Sequence, residues 1–139
     1  MQTSPSKQNI VLLLLIILNI IVSLGHYIHN MMFLPQYYEP DWITPSLIDT
    51  LWFVMTPFSC IGYLLYLRGS LKLGYLLIYI YCFLSLLVLG HYVMTPIGML
   101  SLTINLVILA EAIAAVILAL YTFWLQKSSA IIESTMSDN

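Results

Sequence analysis

Four long runs of apolar residues make up most of this chain of 139 residues. They cover about 9–32, 46–67, 71–93 and 99–125, and each can cross a bilayer as a helix, because about 20 residues are enough. Only 7% of the residues are charged, whereas a soluble domain carries about 25%. The sequence therefore predicts an integral membrane protein with one four-span transmembrane domain over 1–139 and short polar termini.

The segments between the apolar runs are short, and they read LPQYYEPDWITP, RGS and MTPIG. Short connections between long helices place consecutive helices side by side and antiparallel. We therefore expect an all-α, up-down-up-down four-helix bundle. In such a bundle the first and third helices lie diagonally, so that their side chains can meet in its core.

The charged residues indicate an orientation in the membrane. In the four-span arrangement all basic residues fall on one side and the acidic residues of the first loop region fall on the other. The basic residues are Lys7, Arg68, Lys72 and Lys127, and the acidic ones are Glu39, Asp41 and Asp49. The positive-inside rule then places both termini in the cytoplasm. A net charge of -2 gives no indication of a nucleic-acid partner.

The beginning of the chain also matches a secretory signal peptide, with a lysine, an apolar core and small residues before a cleavage point after Gly25. Cleavage there would leave His26 at the N-terminus, where the amine and the imidazole together chelate copper. The apolar run continues through YIHNMMF, which favours a helix that is retained. N-terminal sequencing of the purified protein distinguishes these alternatives.

All three histidines lie at the non-cytoplasmic end of the predicted bundle. His26 and His91 each stand in the sequence LGHY, and His29 follows His26 by three residues. Imidazoles with nearby carboxylates suit zinc, copper or iron, and His26 with His91 could ligate one b-type haem. The alternatives are a ligand or proton-handling site, or rings that simply tolerate the membrane interface.

The first apolar run carries a stripe of polar residues with helical spacing. Asn19, Ser23, His26 and Asn30 are four, three and four residues apart, which places them on one face of a helix. Polar side chains in hydrocarbon usually face the interior of a bundle. The stripe is therefore either a set of hydrogen bonds between helices or a site that handles a ligand or protons.

Glu111 is the one carboxylate deep in a predicted span, about 18 Å from Met99 at 1.5 Å per residue. An ionisable residue near the bilayer midplane is by default a candidate functional group. The alternative is a structural hydrogen bond to Asn19 or to a tyrosine. Asp49, near the start of the second run, is a second candidate carboxylate for ligand or proton handling.

The first loop contains three prolines, three interfacial aromatic residues and two acids. Its residues Tyr38, Glu39, Asp41 and Trp42 are candidates for a lid over the mouth of the bundle. The alternative is a rigid turn between the first two helices.

The segments EPDWI and GYLLYLRGS, within 39–70, resemble the EXPERA four-helix membrane family, which includes emopamil-binding sterol isomerases. The resemblance implies a cavity for a lipophilic ligand inside the bundle. It also implies Glu111 or Asp49 as a counter-ion for an amine or a developing carbocation. The chain departs from the family in its shorter first loop and in having His26 and His29 where acidic pocket residues are expected.

Three classes of function follow from these patterns. The chain is a cofactor- or ligand-binding subunit or accessory of a membrane complex, an EXPERA-like sterol or lipid binder or isomerase, or a purely structural membrane subunit. The expected partners are membrane lipid, a lipophilic ligand, and other membrane subunits or further copies of the chain.

Overall fold

A computed structural model of the chain describes the backbone of residues 6–137 and the side chains of residues 6–129. All regular structure in this part of the chain is helical. The helices are α1 (Lys7–Phe33), α2 (Pro45–Leu67), α3 (Leu71–Leu86), the short α4 (His91–Met94) and α5 (Leu102–Ser137). Single 3-10 turns at Leu34–Tyr37, Leu87–Gly90 and Ile97–Met99 lie between them.

Local sequence explains where the helices begin. The hydroxyl oxygens of Ser6, Thr44 and Ser101 accept hydrogen bonds from backbone N–H groups three residues later, which satisfies donors that a helix start leaves free. Pro45 follows Thr44 at the first helical position, where its missing N–H is no loss. Gly69 adopts a φ of 83° in the turn between α2 and α3, a conformation that favours glycine.

The helices form a closed ring in the order α1, α2, α3 and α5, so that α1 faces α3 across the bundle. Within the described residues four helical segments are long and apolar enough to cross a membrane, and α3 and α4 together make the third of them. The predicted fold class, an all-α membrane four-helix bundle, is confirmed. We call the end that carries α4 the histidine end, and the opposite end, with Arg68 and Lys72, the basic end.

At the basic end α2 and α3 approach each other at two glycines. A Cβ atom on Gly62 would lie 3.0 Å from the carbonyl oxygen of Gly74, and one on Gly74 would lie 2.8 Å from the backbone nitrogen of Tyr66. Only glycine fits at these positions, because the obstructing atoms belong to the backbone. Close approach at small residues is typical of helix packing in membranes.

The third span is less regular than its apolar run suggests. A 3-10 turn at Leu87–Gly90 separates α3 from α4, whereas the sequence predicted one helix. A 3-10 turn has three residues per turn rather than 3.6, so the side chains after it point in a different direction from those of a continued α-helix. His91 is buried directly after this turn.

Candidate functional site

The polar stripe of α1 faces the interior of the bundle. Asn19, Ser23, His26 and Asn30 are all buried, as their spacing predicted. They extend from the middle of the bundle towards the histidine end. A buried polar side chain requires hydrogen-bond partners, so the groups that these residues meet define the site.

His26 and Glu111 form a pair in the interior. His26 Nδ1 lies 2.6 Å from Glu111 Oε2, with the two side chains 3% and 1% exposed. The pair joins α1 to α5 across 85 positions of sequence. Sequence reasoning singled out both residues, but it expected Asn19 or a tyrosine as the structural partner of Glu111, and the direct partner is a histidine.

Ser85 of α3 extends this pair to a third helix. Its hydroxyl donates to Glu111 Oε1 at 3.0 Å and lies 3.3 Å from Asn19 Oδ1. The hydroxyl has one proton and can donate to one of these acceptors at a time, and the shorter contact, to Glu111, makes the stronger hydrogen bond. Rotating the Asn19 amide by half a turn lets its Nδ2 donate to Ser85 Oγ. A continuous chain Asn19–Ser85–Glu111–His26 then links α1, α3 and α5.

Glu39 enters the bundle from the first loop. Its side chain is 2% exposed, its Oε1 accepts a hydrogen bond from Asn30 Nδ2 at 3.1 Å, and His91 Nδ1 lies 2.8 Å from the same oxygen. The contact with His91 is close enough for an ion pair, but its direction is not that of a hydrogen bond. Glu39 therefore connects the loop to α1 and α4.

Tyr37, two residues before Glu39, is the aromatic centre of the histidine end. It is 1% exposed, and its ring centroid lies 6.1 Å from that of His26, 5.8 Å from that of His29 and 5.2 Å from that of His91. Its hydroxyl bonds to His29 Nδ1 at 2.8 Å, and its carbonyl accepts from Thr95 Oγ1 at 3.2 Å. Tyr37 thus fixes the loop on top of the three imidazoles.

A cavity of about 230 Å³ lies beside this polar cluster, between α2 and the third span, with α1 behind it. Most of its wall is apolar, and its polar residues are His26, Asn30, Glu39 and His91. Four buried atoms of these residues have no hydrogen-bond partner among the described residues: His26 Nε2, Asn30 Oδ1, Glu39 Oε2 and His91 Nδ1. The cavity therefore has an apolar body and a wall with unused hydrogen-bonding capacity.

The three histidines do not converge as metal ligands. Within the described residues no group of three or more histidine, cysteine, aspartate or glutamate side chains is arranged to hold a metal ion. His29 bonds to Tyr37, and His26 Nδ1 is held by Glu111. The rings of His26 and His91 are in edge-to-face contact with centroids 5.3 Å apart, and ligation of a haem by this pair stays a prediction.

Four other candidate residues lie outside the cluster. Asp49 is exposed on α2 and does not line the cavity. Tyr38, Asp41 and Trp42 are exposed as well, so of the four proposed lid residues only Glu39 reaches the interior. Tyr38 has a φ of 55°, which turns the chain between two residues that point inward.

Sequence reasoning missed two members of the cluster. Ser85 follows buried Ile78 and Tyr81 at helical spacing, and this periodicity could have placed it on the interior face of α3. Tyr37 has no such signal, because it stands beside Tyr38 in an irregular loop. The structure buries one of these two tyrosines and exposes the other.

Comparison of the chain with protein-family models, with curated proteins and with solved structures returns no match.

Proposed function

We propose that this protein binds a lipophilic ligand with a polar group in the cavity at the histidine end of its bundle. The observation that carries the proposal is an apolar cavity whose polar wall residues, His26, Asn30, Glu39 and His91, each have a buried polar atom that no described residue satisfies. The rest of the wall is apolar. Binding sites for small molecules commonly combine an apolar body with a few placed polar groups.

The energetics support a bound partner. A buried polar atom without a hydrogen bond costs about 1–3 kcal/mol, and four such atoms belong to residues of this wall. A ligand that hydrogen-bonds to them gains affinity because it removes this penalty. The apolar lining favours a lipophilic molecule, because a polar group placed against it would lose its hydrogen bonds without replacement.

The test is to purify the protein in mild detergent, extract bound small molecules and identify them by mass spectrometry. Val88→Phe adds a ring at a buried position of the cavity wall, and we expect it to abolish recovery of the ligand. Val116→Phe, on the exposed surface of α5, is the matched control and should leave recovery unchanged. Equal recovery from both variants would contradict the proposal.

One observation favours an isomerase, the EXPERA-like alternative. Glu111 orients the His26 ring, whose Nε2 is free of described partners and belongs to a residue of the cavity wall. A base oriented by a carboxylate is suited to proton transfer. Such an enzyme would add a proton to one carbon of an unsaturated lipid and remove another from a second carbon. Incubation of membranes in deuterated water would then place deuterium on carbon, and His26→Ala would abolish it.

We also infer that the protein works with other membrane subunits or with further copies of itself. Its apolar outer surface and small size support this. Native purification with identification of co-purifying chains tests it. If His26→Ala, His91→Ala and Glu111→Ala all leave ligand content and assembly intact, the purely structural alternative is the one that survives.

For orientation, we propose that both termini and the basic end lie in the cytoplasm. The positive-inside rule supports this, because Arg68 and Lys72 flank the turn between α2 and α3. Ser70→Cys and Gln36→Cys place thiols at exposed sites on opposite ends. In intact cells a membrane-impermeant maleimide should label Gln36→Cys only, and labelling of Ser70→Cys alone would reverse the orientation.

A further inference from the structure

The cavity opens sideways, through the surface that faces lipid. Its wall comes from α1, the first loop, α2 and the third span, and α5 contributes none of it. Four of its apolar wall residues are also exposed on the outside of the bundle: Leu51, Val54, Leu87 and Met94. The gap between α2 and the third span therefore joins the cavity to the hydrocarbon around the protein.

The shape of this helix pair explains the gap. Gly62 and Gly74 hold α2 and α3 in backbone contact at the basic end. Towards the histidine end the same two helices carry larger residues, and the cavity occupies the space between them.

The polar wall lies near one end of α1, the first of the helices long enough to cross a membrane. Asn30 is three residues from the end of α1 at Phe33, which is about 5 Å along the helix axis. Glu39 enters from the loop beyond that end and bonds to Asn30. An amphiphile in the surrounding leaflet would thus place its polar end against this wall while its hydrocarbon chain stays in the bilayer.

The free atoms of the wall specify the chemistry of that polar end. Glu39 Oε2 and Asn30 Oδ1 have no partner within the described part of the chain, and a carboxylate or amide oxygen accepts hydrogen bonds. A matching group donates hydrogen bonds, as a hydroxyl or a primary ammonium does.

The volume indicates how much of such a molecule fits. Pockets for drug-sized ligands typically measure about 300–1,000 Å³, and this cavity measures about 230 Å³. It accommodates a head group and the beginning of a hydrocarbon chain. The remainder of a longer chain has an outlet in the gap beside Leu51 and Leu87.

We propose that the cavity holds a single-chain membrane amphiphile by its polar end. In this arrangement a hydroxyl or primary ammonium donates to Glu39 and Asn30, and the hydrocarbon chain leaves between α2 and the third span into the bilayer. This proposal rests on the proposed function, because it names the class of ligand for the same cavity.

The test uses the full chain in phosphatidylcholine nanodiscs, with photoreactive probes of equal chain length that carry a diazirine in the chain. The probes are a long-chain alcohol, a long-chain primary amine and a long-chain trimethylammonium, which has no N–H donor. We expect the amine and the alcohol to label the protein at least about tenfold more strongly than the trimethylammonium probe, since a single hydrogen bond to a charged group corresponds to about this factor. Crosslinks should map to Leu51 and Leu87. Equal labelling by all three probes would overturn the proposal.

Two variants test the path of the hydrocarbon chain and the position of the polar end of the probe. Leu87→Trp should block the gap and abolish labelling, whereas Leu120→Trp, at an exposed leucine of α5, should not. Glu39→Gln removes the charge but keeps an acceptor oxygen, so labelling by the amine should fall and labelling by the alcohol should persist. Equal labelling of the two tryptophan variants would contradict the lateral route.

Competition by a short amine without a hydrocarbon chain distinguishes the amphiphile proposal from the proposed function, which requires only some lipophilic ligand in the cavity. If the short amine competes as effectively as the long-chain amine and Val88→Phe abolishes its binding, the cavity binds a compact ligand, and the amphiphile proposal fails while the proposed function stands. If no probe competes or labels and Val88→Phe changes nothing, both fail.

Discussion

The two ends of the bundle hold the same helices together by different means. At the basic end, α2 and α3 touch through Gly62 and Gly74, and the interior is filled by apolar side chains such as Leu12 and Leu118. At the histidine end polar groups bonded across helices lie beside a smaller apolar cluster that includes Val88 and Ile104, with a cavity next to them. Close packing at the basic end thus contrasts with a cavity at the histidine end.

The largest effect that we expect comes from removing the carboxylate that joins three helices. Glu111→Ala leaves His26 and Ser85 buried without their partner, and each buried polar group left unsatisfied costs about 1–3 kcal/mol of unfolding free energy. Unfolding of the detergent-solubilised protein by denaturant measures this. Leu106→Ala, at an exposed leucine of the same helix, is the control.

The pairing itself is tested by a double-mutant cycle. If His26 acts mainly through Glu111, the double variant His26→Ala with Glu111→Ala loses clearly less stability than the two single losses added together. Additive losses would mean that His26 and Glu111 contribute to stability independently. The hydrogen bond between them would then not be what holds the histidine end together.

The second effect concerns the basic end. Gly74→Ala places a Cβ atom 2.8 Å from the Tyr66 nitrogen and 3.0 Å from the Gly62 oxygen, so the helices must separate. Overpacking of this kind costs about 1–3 kcal/mol, again measured by denaturant unfolding. Gly25→Ala is the matched control, because nothing lies within 4 Å of its added Cβ. An unchanged Gly74→Ala would show that the contact between α2 and α3 is not what closes this end.

The third effect tests how the loop is held at the histidine end. Tyr37→Phe keeps the buried ring but loses the hydrogen bond to His29, which is worth about 0.5–1.5 kcal/mol. Tyr38→Phe is the control, since that residue is exposed and its hydroxyl bonds to no described residue. Thermal unfolding followed by circular dichroism compares the two variants. If Tyr38→Phe loses as much stability as Tyr37→Phe, the buried hydroxyl has no special role.

The sequence pattern correctly predicted the four-helix bundle and the polar face of α1 that is buried in it. Apolar length predicts the helices, and spacing places Asn19 and His26 in the interior, because both features depend on local geometry alone. Pairing of His26 with Glu111 joins positions 85 apart, and no local pattern specifies such a contact. The inward turn of Glu39 and the separation of Asp49 from the cluster depend on the loop conformation, which the short polar sequence between two prolines leaves undetermined.

The smallest effect concerns the turn at Tyr38, on either side of which Tyr37 and Glu39 point into the bundle. Tyr38 has a φ of 55°, and this left-handed conformation costs an L-residue about 1–2 kcal/mol. Tyr38→Gly removes that strain but increases the freedom of the unfolded chain, which opposes it by up to about 1 kcal/mol. We therefore expect a net stabilisation below about 1 kcal/mol, measured by thermal unfolding.

Tyr38→Ala is the control for this last substitution, because it removes the exposed ring and keeps the Cβ atom that causes the strain. It should not stabilise the protein. If Tyr38→Gly were no more stable than Tyr38→Ala, the left-handed turn would not be strained, and the position of Tyr37 and Glu39 in the bundle would have to come from their own contacts alone. If it is more stable, the histidine end retains a strained turn in order to bring Glu39 to the cavity wall, and the basic end shows nothing comparable, since its own left-handed residue is Gly69.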